Sequence, residues 1–190
     1  MKNKIILLLA ILATPLFASA QSKSNDQIER QIKSLGVEKQ ISVSFDQAGN
    51  TSKLKAVTDN FRQGDTDAAG ARAINMALGF FYAGNALQNS PDRVMLTLWV
   101  LTKRPHFAAD HHLIIDTGSG QIDLGEGRYS PKPQMDMEYL NYEISRQDLA
   151  AVANGSTVVF RVGQNKFTAT PDQLKVIRAV AKIADASQAL

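Results

Sequence analysis

Between Asp92 and Thr102 the chain reads DRVMLTLWVLT. A two-residue period sorts it into Val94, Leu96, Leu98 and Val100 on one side and Met95, Thr97, Trp99 and Leu101 on the other. An uninterrupted run of this kind predicts a long strand. The run before it, ARAINMALGFFYAG (71–84), admits two readings. Ala71, Ile74, Leu78 and Phe81 share a helix face, whereas Ile74, Met76, Leu78, Phe80 and Tyr82 share a strand face. Two glycines and three aromatics suit a helix poorly. A second strand is therefore expected, joined to the first through GNALQNSP as a long β-hairpin.

The rest of the chain alternates between these two periods. Ser24 with Gln27 predicts a capping box for a short helix on which Ile28, Ile32 and Leu35 share a face and which Gly36 stops. QISVSFD (40–46) alternates as a half-buried strand, and LKAVTDNF (54–61) is a weaker strand candidate. HHLIID, QIDLG and MEYLNYEI read as three further strands. SRQDLAAVANG is a helix opened by Ser145 with Asp148 and closed by Gly155, and STVVFRVGQNKFTA is a hairpin with GQNK at its tip. The last element is the clearest helix: Thr170 caps it, Pro171 starts it and Gln173 completes a capping box. Its apolar face is Leu174, Ile177, Val180, Ala181 and Ala184, with Lys175, Arg178, Lys182 and Asp185 expected to face solvent. The fold class expected is α+β: mostly antiparallel, sandwich-like sheet with long hairpins, a short N-terminal helix, and the C-terminal helix packed on the sheet.

The first twenty residues have the three parts of a secretory signal peptide. Lys2 and Lys4 precede an apolar stretch from Ile5 to Ala13, and Ala18-Ser19-Ala20 is a small-residue cleavage site. The expectation is a signal peptide over residues 1–20 and a single β-rich domain over 21–190, exported to the periplasm or the medium. No later run approaches a membrane-spanning length. Zero cysteines in an exported chain leave stability to the buried core. Without Lys2 and Lys4, 19 basic residues face 18 acidic ones, which is no electrostatic footprint for nucleic acid.

Two constellations carry candidate chemistry. LIIDTGSG places Asp116, Thr117, Gly118 and Ser119 in the order of the aspartic peptidase motif and resembles that family over about six residues. Such an enzyme needs two carboxylates about 3 Å apart that share a proton. The chain has no second Asp-Thr/Ser-Gly, no glycine-rich flap, and a helix pattern where the family's supporting glycine would stand. A hairpin turn accounts for TGSG without catalysis. The second constellation is HFAADHH, in which His106, Asp110 and His111 could ligate zinc or copper. On a strand His111 and His112 would point to opposite faces, which splits the ligand set. No Gly-x-Ser-x-Gly elbow and no phosphate loop is present, so no cofactor is expected. Phe80, Phe81, Tyr82, Trp99, Tyr139 and Tyr142 are assigned to the core.

Over residues 71–184 the layout is similar to small exported bacterial proteins of uncharacterised function. The likeness is carried by SPDRVMLTLWV, by PHF, by DLGEGRY, and by a VVFRVGQNKF hairpin followed by a capped helix. That resemblance implies the fold and no activity. The reading is therefore a non-catalytic binding or accessory protein of the cell envelope, holding a protein or envelope component through a sheet face or edge. One alternative is a hydrolase, either a dimeric peptidase using Asp116 or a metal-dependent enzyme using His106, Asp110 and His111. The other is a small-ligand carrier with strands 73–82 and 92–102 lining a pocket.

Overall fold

Helix ends and sheet register organise this molecule. A computed structural model describes residues 22–61, 74–102, 106–107 and 109–186. The proposed signal peptide and the RQGDTDAAG segment (62–70) lie outside them. Strand β1 (Lys23–Ser24) leads into helix α1 (Asn25–Ser34), with strands β2 (Ile41–Asp46), β3 (Thr51–Phe61), β4 (Ile74–Ala83), β5 (Ala86–Leu87) and β6 (Arg93–Leu101) next. Strands β7 (His112–Asp116), β8 (Gln121–Glu126), β9 (Arg128–Lys132) and β10 (Met137–Ser145) follow, then helix α2 (Arg146–Asn154). Strands β11 (Val159–Val162) and β12 (Asn165–Thr168) and helix α3 (Pro171–Ala184) complete the described elements. Every strand pairing is antiparallel. The fold is α+β, as expected.

The ambiguous run is a strand. β4 pairs with β6 from Ile74↔Val100 to Gly79↔Met95, so the hairpin forms as its alternation requires. A six-stranded sheet runs β2-β3-β4-β6-β10-β9, a four-stranded sheet runs β12-β11-β7-β8, and β1 pairs with β5. β9 is a strand beyond those expected. Its RYSPK sequence carries Pro131, which cannot donate to a ladder, and it forms at the sheet edge, where one side of the backbone has no neighbour.

The core lies between the inner face of the large sheet, the three helices and the inner face of the small sheet. Ile74, Met76, Leu78 and Phe80 of β4 and Val94, Leu96, Leu98 and Val100 of β6 are all buried. Met76, Leu78, Leu96 and Ile144 meet Ile115 and Phe160 of the small sheet, Leu149 and Val152 of α2, and Ile177 of α3. These side chains leave a gap of about 10 Å³ between them, barely enough for one water. Where these side chains meet, the inner faces of β4 and β6 are closely packed.

Among the described residues the three α-helices are capped at both ends. Ser24 and Thr170 form the capping boxes predicted with Gln27 and Gln173, and Ser145 accepts from the Asp148 amide while donating to its carboxylate. Lys175 and Arg178 lie on the exposed side of α3 as expected, and each also serves a helix end. Lys175 Nζ donates to the Gly36 carbonyl just past α1, at 3.1 Å. Arg178 donates from Nε to Ala153 O (2.8 Å) and from Nη2 to Gly155 O (3.1 Å) at the end of α2. The buried Lys23 closes α3 in the same way, reaching the Asp185 carbonyl at 2.7 Å. Each helix's negative pole is therefore met by a cation from a different element, where carbonyls without helical partners accumulate.

Candidate functional site

β6 is apolar on both faces, and the two faces meet different environments. Val94, Leu96, Leu98 and Val100 are buried, while Met95, Thr97, Trp99 and Leu101 point to the other side of the sheet and remain half-buried or exposed. Register extends that outer face across five strands in rows. Leu101 sits beside Met137 and Lys132; Asn75 beside Trp99, Tyr139 and Ser130; Val57 beside Ala77, Thr97, Asn141 and Arg128. Lys55, Gly79, Met95 and Glu143 form the next row, and Lys53 pairs with Phe81. None of these residues is buried. Phe81 is 63% exposed and Leu101 52%.

The face has an apolar centre and basic flanks. Phe81, Met95, Trp99, Leu101, Met137 and Tyr139 run along β4, β6 and β10. Lys53 and Lys55 border them on β3, and Arg128 and Lys132 on β9. Lys53 Nζ lies 5.3 Å from the Phe81 ring centroid. Arg93 and Glu143 neutralise each other at 3.0 Å, but none of the four flanking cations is ion-paired among the described residues. Phe81, Trp99 and Tyr139 thus depart from the core assignment, whereas Phe80 and Tyr142 hold to it. An antiparallel strand with one solvated face ordinarily alternates apolar with polar. β6 does not, and that was the signal for this face.

The residues singled out for chemistry lie elsewhere. Asp116 ends β7, and its Oδ1 accepts the Gly118 amide at 2.9 Å. Thr117 is buried, with its amide and hydroxyl both donating to the Gly120 carbonyl. TGSG is therefore the β7–β8 turn, Gly118 being its one glycine with positive φ (78°). No second carboxylate is hydrogen-bonded to Asp116 among the described residues.

β7 begins only at His112, so strand alternation does not separate His111 from His112, and both line one cleft. The His111 ring stacks on Tyr129 with centroids 4.7 Å apart. His112 Nε2 lies 2.7 Å from Asp123 Oδ1, and its Nδ1 3.7 Å from Glu126. Asp110 accepts the His112 amide at 3.0 Å. Asp110, His111, His112, Ile114, Glu126 and Arg161 line an open cleft of about 590 Å³. Among the described residues no group of three or more His, Asp or Glu side chains stands close enough to hold a metal ion. His106, Asp110 and His111 are not brought together as ligands. Imidazole and carboxylate in the cleft could orient a proton, but among the described residues lining it none carries a hydroxyl nucleophile.

Behind the cleft a buried carboxylate organises the 106–111 segment. Glu138 Oε2 accepts the amides of His106 (2.8 Å) and Phe107 (2.9 Å), and Oε1 accepts the Tyr129 hydroxyl at 2.8 Å. Burial, and then the Glu138 carboxylate, push the Tyr129 phenol up to about 12. Tyr142 donates to the His111 carbonyl at 2.8 Å, and its phenol is raised chiefly by burial. The Gly125 amide, and then His112, hold Asp123 below the usual carboxylate range. Glu138 and Tyr142 thus hold backbone groups of His106, Phe107 and His111 in place, which is the chemistry of a braced loop.

No family model matches the chain, and no curated protein and no solved structure is significantly similar to it.

Proposed function

We propose that this is an exported, non-catalytic binding protein of the cell envelope that holds its partner on the outer face of the six-stranded sheet. The observation that carries the reading is β6, whose second apolar face, Met95, Thr97, Trp99 and Leu101, has no cover among the described residues. An apolar centre rich in aromatics and methionine, bordered by Lys and Arg, has the anatomy of a recognition surface. Five strands about 4.8 Å apart and five rows about 6.8 Å apart give it an area on the order of 500–800 Å². That is the contribution of one partner to a standard interface. The export half of the reading rests on the tripartite segment over residues 1–20.

Site-specific photocrosslinking in the native host tests this reading. A crosslinker at Met95 should capture a discrete partner. One at Lys166, on the small sheet, should not. Equal labelling from both positions, or none from Met95, would remove the sheet face from consideration. N-terminal analysis of the exported protein should begin at Gln21.

A further inference from the structure

We infer that the occupant of this face is an amphipathic α-helix of a partner protein, with carboxylates along both borders of its apolar stripe; the inference rests on the sheet-face reading above. The dimensions point to it. Lys53 and Lys55 on β3 stand four strand spacings from Arg128 and Lys132 on β9, about 19 Å. A helix about 10 Å across, with acidic side chains reaching sideways from it, bridges that span. Along the strands the apolar strip from Leu101 to Phe81 covers five rows, about 27 Å, which matches about 18 helical residues. The inner face of the same sheet already packs against helices, so the backbone geometry accepts this arrangement.

Other occupants fit less well. A second copy of this chain would lay lysines against arginines, since among the described residues the flanks carry four cations outside any ion pair and the one acid in the rows, Glu143, is held by Arg93. A bilayer is flat, whereas successive strands rotate by about 20–25°, so a face five strands wide cannot lie flush on it. A glycan would favour stacked rings with free amides. Here the side chains beside the rings include Leu101, Met95 and Met137, and the Asn141 amide oxygen already accepts from Thr97 at 2.9 Å.

The chain's single tryptophan, Trp99, lies on the middle strand in the second of the five rows, so its emission reports occupancy directly. A display library of random 18-residue peptides should be selected against the purified protein. The enriched peptides should carry apolar residues at i, i+3, i+4 and i+7 flanked by Asp or Glu, and as soluble helices they should move Trp99 emission to shorter wavelength. The double variant Lys55→Glu with Lys132→Glu should bind them about tenfold more weakly or worse, with recovery when the peptide's border acids become lysines. Enrichment of peptides without helical spacing or without acids would overturn the helix. A Trp99 shift given instead by phosphatidylglycerol vesicles or by polygalacturonate would keep the face and replace the occupant. Silence of Trp99 toward peptides, vesicles and polyuronate alike would end both the helix and the sheet-face reading.

Discussion

Arg178 Nε lies 2.8 Å from the main-chain oxygen of Ala153, so a side chain midway along α3 completes the last turn of α2. A second bond, to the Gly155 carbonyl, makes the guanidinium a two-pronged cap. Arg178→Ala removes both bonds and leaves the carbonyls without a protein donor. A loss of about 1–3 kcal/mol is expected in chemical denaturation. Lys182→Ala, on the exposed side of the same helix, should change stability by about 0.5 kcal/mol or less.

Glu138 serves three donors from one buried position on β10. Glu138→Ala leaves two amides and a phenol without their acceptor, which should cost about 3 kcal/mol. Hydrogen exchange should accelerate at His106 and Phe107 and leave the β4–β6 ladder little changed.

The raised phenol of Tyr129 gives a signed prediction at high pH. In the unfolded chain a tyrosine loses its proton near 10, but in the fold Tyr129 keeps it to about 12. Between those values the unfolded state binds fewer protons, so stability falls as pH rises through the window. Below 10 the contribution is fully present. Absorbance titration should place Tyr129 near 12, and Tyr129→Phe should flatten the decline in stability between pH 10 and 12.

Gly127 faces the ring of Tyr142 so closely that a Cβ there would lie 2.5 Å from its carbons. Because the ring is buried and its hydroxyl is engaged with the His111 carbonyl, it cannot swing away cheaply. Gly127→Ala should lose about 1–3 kcal/mol. Combining it with Tyr142→Leu should cost less than the sum of the two single changes, measured as a double-mutant cycle.

Alternation made most of the large sheet legible in the sequence. Ile74, Met76, Leu78 and Phe80 outweighed the competing helical spacing because Gly79 and three adjacent aromatics oppose a helix. Helix starts were equally legible, since Ser24, Ser145 and Thr170 act on amides three residues away. Helix ends were not, because their partners are remote: Lys175 and Gly36 are 139 positions apart. β9 was hidden by Pro131, whose edge position only the assembled sheet reveals. The outer face was half visible. Met95, Trp99 and Leu101 stood out as a second apolar row, but period two does not say which row the helices cover. Its flanking cations come from β3 and β9 and become neighbours of that row only through strand order.

Lys23 and Asp185 are 162 positions apart, yet one hydrogen bond ties them, and it joins β1 to the end of α3. Lys23 and the last turn of α3 behave as the halves of a latch. Its two sides are the most distant pair of described elements, so fastening should be a late event, gated by the slowest long-range pairing. Removing the Lys23 amine should loosen the end of α3 and make that turn an early place where a protease gains entry.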